Sequence, residues 1–199
     1  MEYVIMAVVL FFSIIVHEVS HGYAALLNGD ATAKLSGRLT FNPLPHVDLM
    51  GTVLLPALLL LSQSGIFFGW AKPVPVNPLN FRHYRAGIIT VSAAGPLSNL
   101  FLAFLFAQML PWADNNPGFF LMCQYGVVIN LYLMLFNLIP IPPLDGSRIL
   151  MPLLPPVLRE QYRQLEPVGF ILILILVYSG VWSAVVRPIF RVLMELLVA

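Results

Sequence analysis

The sequence predicts an all-α integral membrane protein, and three observations support this fold class. Hydrophobic residues make up 59% of the 199 residues and charged residues 10%, whereas a soluble domain is about 25% charged. The mean hydropathy is +0.88. Apolar stretches of about 20 residues, the length that crosses a bilayer as a helix, recur along the chain. We therefore expect a polytopic helical bundle with about four to six membrane segments.

These apolar stretches define the predicted elements in order. They lie at about 3–27, 50–69, 87–111, 119–141 and 167–186. A sixth stretch, 187–198, is short and carries Arg187, Arg191 and Glu195, so we expect it to lie at the membrane interface. The linkers are short, and no internal repeat or low-complexity tract is visible. We expect one membrane-embedded domain over residues 1–199, multi-pass in the cell membrane.

Composition also excludes several function classes. The net charge of +1 provides no concentrated basic patch for nucleic acid. The single cysteine, Cys123, rules out an internal disulfide framework and a thiolate zinc cage, and it suits apolar packing. Residues Met1 to Tyr3 lack the basic region of a secretory signal, so we expect the first segment to remain in the mature protein.

Basic residues indicate how the segments are oriented. Three connections, after the first, second and fourth segments, carry eight of the ten Lys and Arg residues: Lys34, Arg38, Lys72, Arg82, Arg85, Arg148, Arg159 and Arg163. All eight share one face if segment 50–69 is re-entrant, and the positive-inside rule makes that face cytoplasmic. Pro56 and the polar run from Ser62 to Gly65 give this segment the means to break. If the segment crossed fully, the first basic connection would lie opposite the other two.

The chemistry begins with His17-Glu18-Val19-Ser20-His21 on the first apolar segment. Two imidazoles four positions apart on a helix are separated by about 6 Å along its axis and share one face, so both can reach one metal ion. Glu18 is placed to accept a proton from water activated by that metal. Ionisable groups at membrane depth are costly, which makes them a functional hypothesis. Ser20 is not expected to be a nucleophile, since both histidines serve the metal better.

A third ligand is needed, because catalytic zinc takes three protein ligands and keeps one open position. Asp145 stands where an apolar segment runs into Pro140, Pro142 and Pro143, which must interrupt helical hydrogen bonding. An opened backbone beside Gly146 can aim this carboxylate inward. Asp145 can also cap a helix that starts there. These residues by themselves leave both roles open.

Three motifs together resemble the site-2 protease family of intramembrane zinc metalloproteases. They are HEVSH at 17–21, AGPLSN at 94–99 and NLIPIPPLDG at 137–146. The chain resembles a short form of this family, without a PDZ or CBS domain. The resemblance implies a helical membrane bundle that holds one zinc ion per chain.

The resemblance also implies roles for individual residues. The zinc ligands would be His17, His21 and Asp145. Glu18 would be the general base, and Asn137 would steady the substrate carbonyl or its developing oxyanion. Other membrane zincins use a downstream glutamate as third ligand; Glu166 is available, but its position at a predicted helix start suits a cap better.

Other polar residues in the chain are assigned structural roles. Asn99 and the small residues at 92–95 suit close helix approach. Asn130 is expected to pack or to bind water. Two histidines in polar connections are expected to be solvated: His46 and His83.

Residues 69–78, GWAKPVPVNP, cannot form a helix because closely spaced prolines remove donors and favour extended geometry. We expect a short extended segment near 70–78. It resembles the edge-strand substrate clamp of the family, with Val74 and Val76 offering backbone hydrogen bonds to a bound substrate strand. An interfacial linker is the alternative.

The sequence therefore predicts a zinc-dependent endopeptidase that hydrolyses peptide bonds within or next to transmembrane segments of membrane proteins. Its partners would be transmembrane protein substrates and the lipid bilayer, and its active site would be reached from the cytoplasmic face. Two alternatives remain: a membrane metal-ion transporter, and an inactive homologue that binds helices. Polar side chains clustered at one depth argue against the transporter, and Glu18 argues against the inactive homologue.

Overall fold

The computed structural model describes residues 1–61, 71–113 and 115–198. These residues contain no β-strand and form nine α-helices. The helices are α1 (Glu2–Leu27), α2 (Thr32–Leu35), α3 (Leu55–Leu61), α4 (Tyr84–Met109), α5 (Pro117–Asn137), α6 (Asp145–Leu150), α7 (Pro156–Arg163), α8 (Gly169–Tyr178) and α9 (Val181–Val198). A π-helical stretch, Leu49–Leu54, leads into α3.

The centre of the molecule is a bundle of α1, α4 and α5, which pack against one another in all three pairings. Three helical stretches are long and apolar enough to cross a membrane: Glu2–Leu27, Tyr84–Trp112 and Pro117–Asn137. A bent pair formed by Pro156–Tyr178 and Val181–Val198 would make a fourth. The predicted all-α, multi-pass membrane fold is confirmed.

Small residues let these helices approach closely. Gly126 on α5 lies directly against the ring of Phe106 on α4, so a Cβ atom there would overlap the ring. Cys123, on the same helix, is fully buried and packs as the sequence predicts. In a bilayer, association between apolar helices depends on such close contacts rather than on a hydrophobic driving force.

The proline-rich connection after α5 breaks the helix, as predicted. The chain passes through Pro140, Pro142 and Pro143 in turns, and α6 begins at Asp145. Gly146 lies against the backbone carbonyl of Leu138, where a Cβ atom would overlap. The close backbone approach that only glycine allows folds the connection back on the end of α5 and carries Asp145 inward.

The C-terminal segments differ from the sequence-based prediction. The predicted span 167–186 is broken at Gly180, whose φ is +78°, and the helices on either side are bent by 72°. Residues 187–198 belong to α9, whose Phe190 ring stacks on Tyr132 of α5 at 4.6 Å. The apolar side of α9 packs on a buried cluster of α4 and α5, because a left-handed glycine ends one helix and turns the next toward the bundle.

The two basic connections on either side of segment 50–69 are in direct contact. The amide of Arg82 donates to the carbonyl of Asn28 at 2.9 Å, and the Arg38 guanidinium donates to the carbonyl of Lys72 at 2.7 Å. The Arg85 guanidinium donates to the carbonyl of Pro152 at 3.1 Å, which brings the third basic connection to the same end. A segment that leaves and returns to one end of the bundle makes no net crossing, which supports the re-entrant interpretation.

Part of that segment lies outside the described residues. The polar run from Ser62 to Gly65, and Gly69 and Trp70 of the predicted extended segment, fall in the range 62–70. From residue 71 to 77 the chain is neither helix nor strand, and a 3-10 turn follows at Pro78–Asn80.

Candidate active site

The two histidines of the HEVSH motif lie on the inner face of α1. From His17 to the end of the helix at Leu27 is ten residues, or about 15 Å along the axis. A hydrocarbon core is about 30 Å thick, so the motif lies well inside the span. The two Nε2 atoms, one helical turn apart, are 3.0 Å from each other.

Asp145 closes the group from the N-terminus of α6. Its Oδ2 atom lies 3.1 Å from Nε2 of His17 and 3.2 Å from Nε2 of His21. Ligand atoms about 2.0–2.1 Å from a tetrahedral zinc ion are about 3.3 Å apart. The three distances between the atoms are close to that value, and these residues form a group that could hold a metal ion.

The burial and the ligand types of this group also fit a metal ion. Asp145 Oδ2 is a buried oxygen with no hydrogen-bond partner among the described residues, and the three side chains are at most 12% exposed. A buried carboxylate oxygen without a donor is costly, whereas a divalent cation satisfies it. Two imidazole nitrogens with one carboxylate oxygen are a donor set that zinc accepts.

Helix α4 holds both imidazoles from behind. Nδ1 of His21 lies 2.7 Å from the carbonyl of Val91. Nδ1 of His17 lies 2.6 Å from Oδ1 of Asn99, and both residues are buried. A carbonyl oxygen can only accept, so Nδ1 of His21 carries a proton, and Nε2 is the ring atom left for a metal ion. Asn99 was assigned to helix packing from the sequence, and the structure gives it a direct contact with His17.

Gly95 explains why α4 can come so close. An ideal Cβ atom there would lie 2.5 Å from His17 Cε1 and 2.5 Å from His21 Nε2. Both imidazoles therefore occupy the space that a side chain at this position would need. The close helix approach predicted at 92–95 therefore occurs at the two imidazoles of the candidate metal site.

Glu18 lies beside the group and contacts the segment 71–77. Its Oε2 atom accepts a hydrogen bond from the amide of Val74 at 2.9 Å. The carboxylate is thus positioned by main chain from the predicted substrate-binding segment. The sequence places Glu18 next to the ligands, but it carries no sign of this contact.

Two charged side chains anchor the segment 71–77 at its ends. Arg38 donates to the carbonyls of Lys72 and Pro73, and Asp30 accepts from the amide of Asn77 at 2.7 Å. Burial raises the pKa of Asp30, but hydrogen bonds from Thr32, Asn77 and Asn80 outweigh it, so the pKa lies below its ordinary value.

The carboxylate of Asp30 is therefore charged at neutral pH and can keep its anchoring role. Neither Asp30 nor Arg38 is predicted from the sequence to anchor this segment. The available signals in the sequence are a single acid shortly after α1 and an arginine shortly after α2.

Asn137 is the last residue of α5, at the start of the connection to Asp145. Its amide nitrogen donates to the carbonyl of Leu133 on its own helix at 3.0 Å. This hydrogen bond lies within α5. The structure does not bring Asn137 into hydrogen-bond contact with the three candidate ligands.

Among the described residues, the two other histidines and Glu166 are not part of this group. His83 is exposed, as predicted, but His46 is fully buried, and its Nε2 lies 2.9 Å from the carbonyl of Thr40. The prediction of a solvated His46 is wrong. The carbonyl of His46 accepts a hydrogen bond from the amide of Lys72, and this contact between the two connections buries the histidine. Ser20 donates to the carbonyl of Val16 within α1, and Glu166 is exposed in a turn.

Two histidines and a carboxylate around one point, with a second carboxylate adjacent, define a membrane-embedded metallohydrolase site. The sequences of known proteins agree with this class. Peptidase family M50 matches residues 113–177, which include Asn137 and Asp145. No solved structure matches the chain.

Relatives extend the match to nearly the whole chain. A protein of Bacillus subtilis named "Putative zinc metalloprotease YwhC" is 40% identical over 94% of this chain and 85% of its own length. Proteins named "Putative zinc metalloprotease Rip2" are 31% identical in Mycolicibacterium smegmatis and 32% identical in Mycobacterium tuberculosis. The alignments cover 84% and 83% of this chain, and 64% and 62% of those relatives.

The chain belongs to peptidase family M50, the site-2 protease family that its motifs resemble. It is a membrane-embedded zinc metalloprotease. These relatives favour the enzyme over the transporter and over the inactive helix-binding homologue.

The role of Gly95 yields a first prediction. Gly95→Ala should lower zinc affinity about 5- to 150-fold, because overpacking costs about 1–3 kcal/mol and the overlap falls on both imidazoles. Helix content should not change. Competition with a chromogenic chelator measures the affinity, and Gly118→Ala is the matched control, since the nearest atom to a Cβ there is 3.5 Å away. Zinc affinity equal to that of the control would contradict this account.

Proposed function

We propose that residues 1–199 act as one membrane-embedded domain that hydrolyses peptide bonds within or next to transmembrane segments of membrane proteins. The observation that supports this most strongly is the depth of the ligand group, about 15 Å from the end of α1. A site at this depth suits a peptide bond that is itself within the bilayer. A soluble peptide would have to enter the bilayer to reach it.

The proposed metal ligands are His17, His21 and Asp145. When bound, zinc lowers the pKa of water toward about 7 and polarises a carbonyl group. Glu18 accepts the proton of the attacking water and returns it to the amine that leaves. The Val74 amide keeps the Glu18 carboxylate oriented during both transfers.

Asn137 is proposed to donate a hydrogen bond to the oxyanion that develops on the substrate carbonyl. Its position at the end of α5, eight residues before Asp145, supports this role. The hydrogen bond to Leu133 must then be exchanged for one to substrate. Such an exchange lets the amide donate where charge develops while remaining satisfied in the resting protein.

The substrate must unwind before it is cut. Helical hydrogen bonds occupy the carbonyl groups of a transmembrane segment, and lipid offers no replacement for them. The segment 71–77 is proposed to receive the unwound strand, with Val74 and Val76 as the substrate-binding residues. Its anchoring by Arg38 and Asp30 supports this, because a strand held at both ends loses little entropy when a partner binds.

We propose that water and substrate reach the site from the cytoplasmic face. The ligand group lies nearer the end of the bundle where the basic connections meet, and Lys and Arg are concentrated in cytoplasmic loops. Oriented in this way, the enzyme would release the cleaved cytoplasmic portion of a cell-membrane protein.

The general base can be tested without disturbing the metal. Glu18→Gln keeps the shape of the side chain and removes the basic oxygen, so cleavage should fall about 10²- to 10⁴-fold while one zinc ion per chain remains bound. Purified protein incubated with a panel of transmembrane peptides, with products mapped by mass, measures this. Glu166→Gln, at an exposed turn, is the control, and near-normal cleavage by the Glu18 variant would refute the role.

The substrate-binding segment requires a separate test. Val74→Pro is unsuitable because it also removes the donor to Glu18. Val76→Pro removes a different amide and should lower kcat/KM about two- to tenfold, the value of one hydrogen bond, with unchanged zinc content.

Val76→Ala is the matched control, since it trims a side chain that packs on a small core cluster but keeps the amide. Equal losses in the two variants would show that packing, and not the backbone donor, explains the effect.

A further inference from the structure

Three buried polar side chains from three different helices form a continuous hydrogen-bond chain that ends on His17. They are Ser13 on α1, Asn99 on α4 and Asn130 on α5, and each is 0% exposed. Buried amides in an apolar bundle cost several kcal/mol unless all their groups are paired. Such a chain at the crossing of the three central helices therefore needs an explanation beyond packing.

The orientation of Asn130 is determined by the backbone. Its amide nitrogen lies 2.8 Å from the carbonyl of Gly126 and 2.9 Å from Oγ of Ser13. A backbone carbonyl has no proton to give, so the atom facing Gly126 must be the donor. The other atom of this amide, Oδ1, then faces Asn99 as an acceptor.

That assignment determines the orientation of Asn99 in turn. Its nitrogen lies 2.9 Å from Oδ1 of Asn130 and 3.4 Å from the carbonyl of Ser13. Both neighbours are acceptors, so this atom must be the nitrogen, and Oδ1 of Asn99 is left facing Nδ1 of His17 at 2.6 Å. Two acceptors cannot share this distance without a proton, and the proton must lie on Nδ1.

We infer that Asn99 is a positioning residue: it holds His17 in the tautomer that carries its proton on Nδ1 and presents the Nε2 lone pair to the metal. The inference rests on the proposed metal ligands. Metal-bound histidines commonly have such a partner on the second nitrogen, often a carboxylate, and it fixes both the tautomer and the ring orientation. Here the partner is a neutral amide, held by the carbonyl of Ser13 directly and by the carbonyl of Gly126 through Asn130.

The neutral partner has a consequence for the site. A carboxylate at position 99 would add a third carboxylate to a bilayer-depth site that already holds Asp145 and Glu18, and its charge would have to be stabilised in the resting protein. The amide orients the imidazole without that cost. Nδ1 of each histidine therefore has a neutral oxygen as its partner: the amide oxygen of Asn99 for His17 and the carbonyl of Val91 for His21.

Zinc affinity tests the inference through paired variants. Asn99→Leu has a similar volume but removes the acceptor, so zinc affinity measured by chelator competition should fall about 10- to 100-fold. Asn99→Asp keeps an acceptor toward His17 and loses the donor to Asn130, and it should regain most of that loss. Gly118→Ala, at a position away from this hydrogen-bond chain where the nearest atom to an added Cβ is 3.5 Å away, should bind zinc as the wild type does.

Two results would overturn the inference. One is Asn99→Leu that binds zinc as tightly as the wild type. The other is an Asn99→Asp variant whose zinc affinity is as low as that of the leucine variant. That result would show that Asn99 acts through its hydrogen bond to Asn130, which packs α4 on α5, and not through its acceptor toward His17. His17→Gln separates this from the metal site itself: tight zinc binding by that variant would refute the proposed ligands as well.

A spectroscopic measurement keeps the inference testable even if the variants do not fold. The chain has four histidines, so ¹⁵N labelling of the histidine side chains of the zinc-loaded wild-type protein gives a simple spectrum. The two histidines that bind zinc should both show a protonated Nδ1 and a metal-bound Nε2, so the assignment needs no variant. A protonated Nε2, or metal on Nδ1, would overturn it.

Discussion

The structure depends on one constraint: the three proposed ligand atoms, two on α1 and one at the start of α6, must meet inside the bilayer. Their separations of 3.0, 3.1 and 3.2 Å require the start of α6 to pack against α1. Helix α4 must also leave room for both imidazoles, which it does at Gly95. Without a cation, only a protonated imidazole could donate to the buried carboxylate oxygen of Asp145. Zinc binding and the packing of the central helices therefore stabilise each other, because metal binding to a preformed site adds to the free energy of folding.

Much of the surrounding architecture follows from that constraint. Helix α4 carries a glycine where the imidazoles approach and an amide where His17 needs a partner. Helix α5 ends in prolines that release the chain, and Gly146 lets it fold back so that Asp145 points inward. The segment 71–77 lies over Glu18 because charged side chains hold both of its ends. The proposed substrate-binding segment and the general base are thus joined by one hydrogen bond.

The sequence predicted the fold class, and the structure brings together the three side chains that the sequence proposes as ligands. Apolar length predicts membrane helices, HEVSH predicts two candidate ligands, and the family resemblance adds Asp145 as the third. Other features depend on tertiary contacts that leave no local pattern. The carbonyl of Val91 is main chain, the contact of Asn99 with His17 spans 82 positions, and the burial of His46 arises from packing between two connections. The break at Gly180 was missed because the apolar pattern continues across it.

X-ray absorption at the zinc edge tests the central claim most directly, since it counts imidazole ligands and detects sulfur. For the purified protein loaded with one zinc ion, this account predicts two imidazoles and light-atom ligands at about 2.0–2.2 Å, with no sulfur. Asp145→Ala should change that shell while the two imidazoles remain. A spectrum with three imidazoles, which would bring in His46 or His83, or with a zinc–sulfur distance near 2.3 Å from Cys123, would contradict the proposed site.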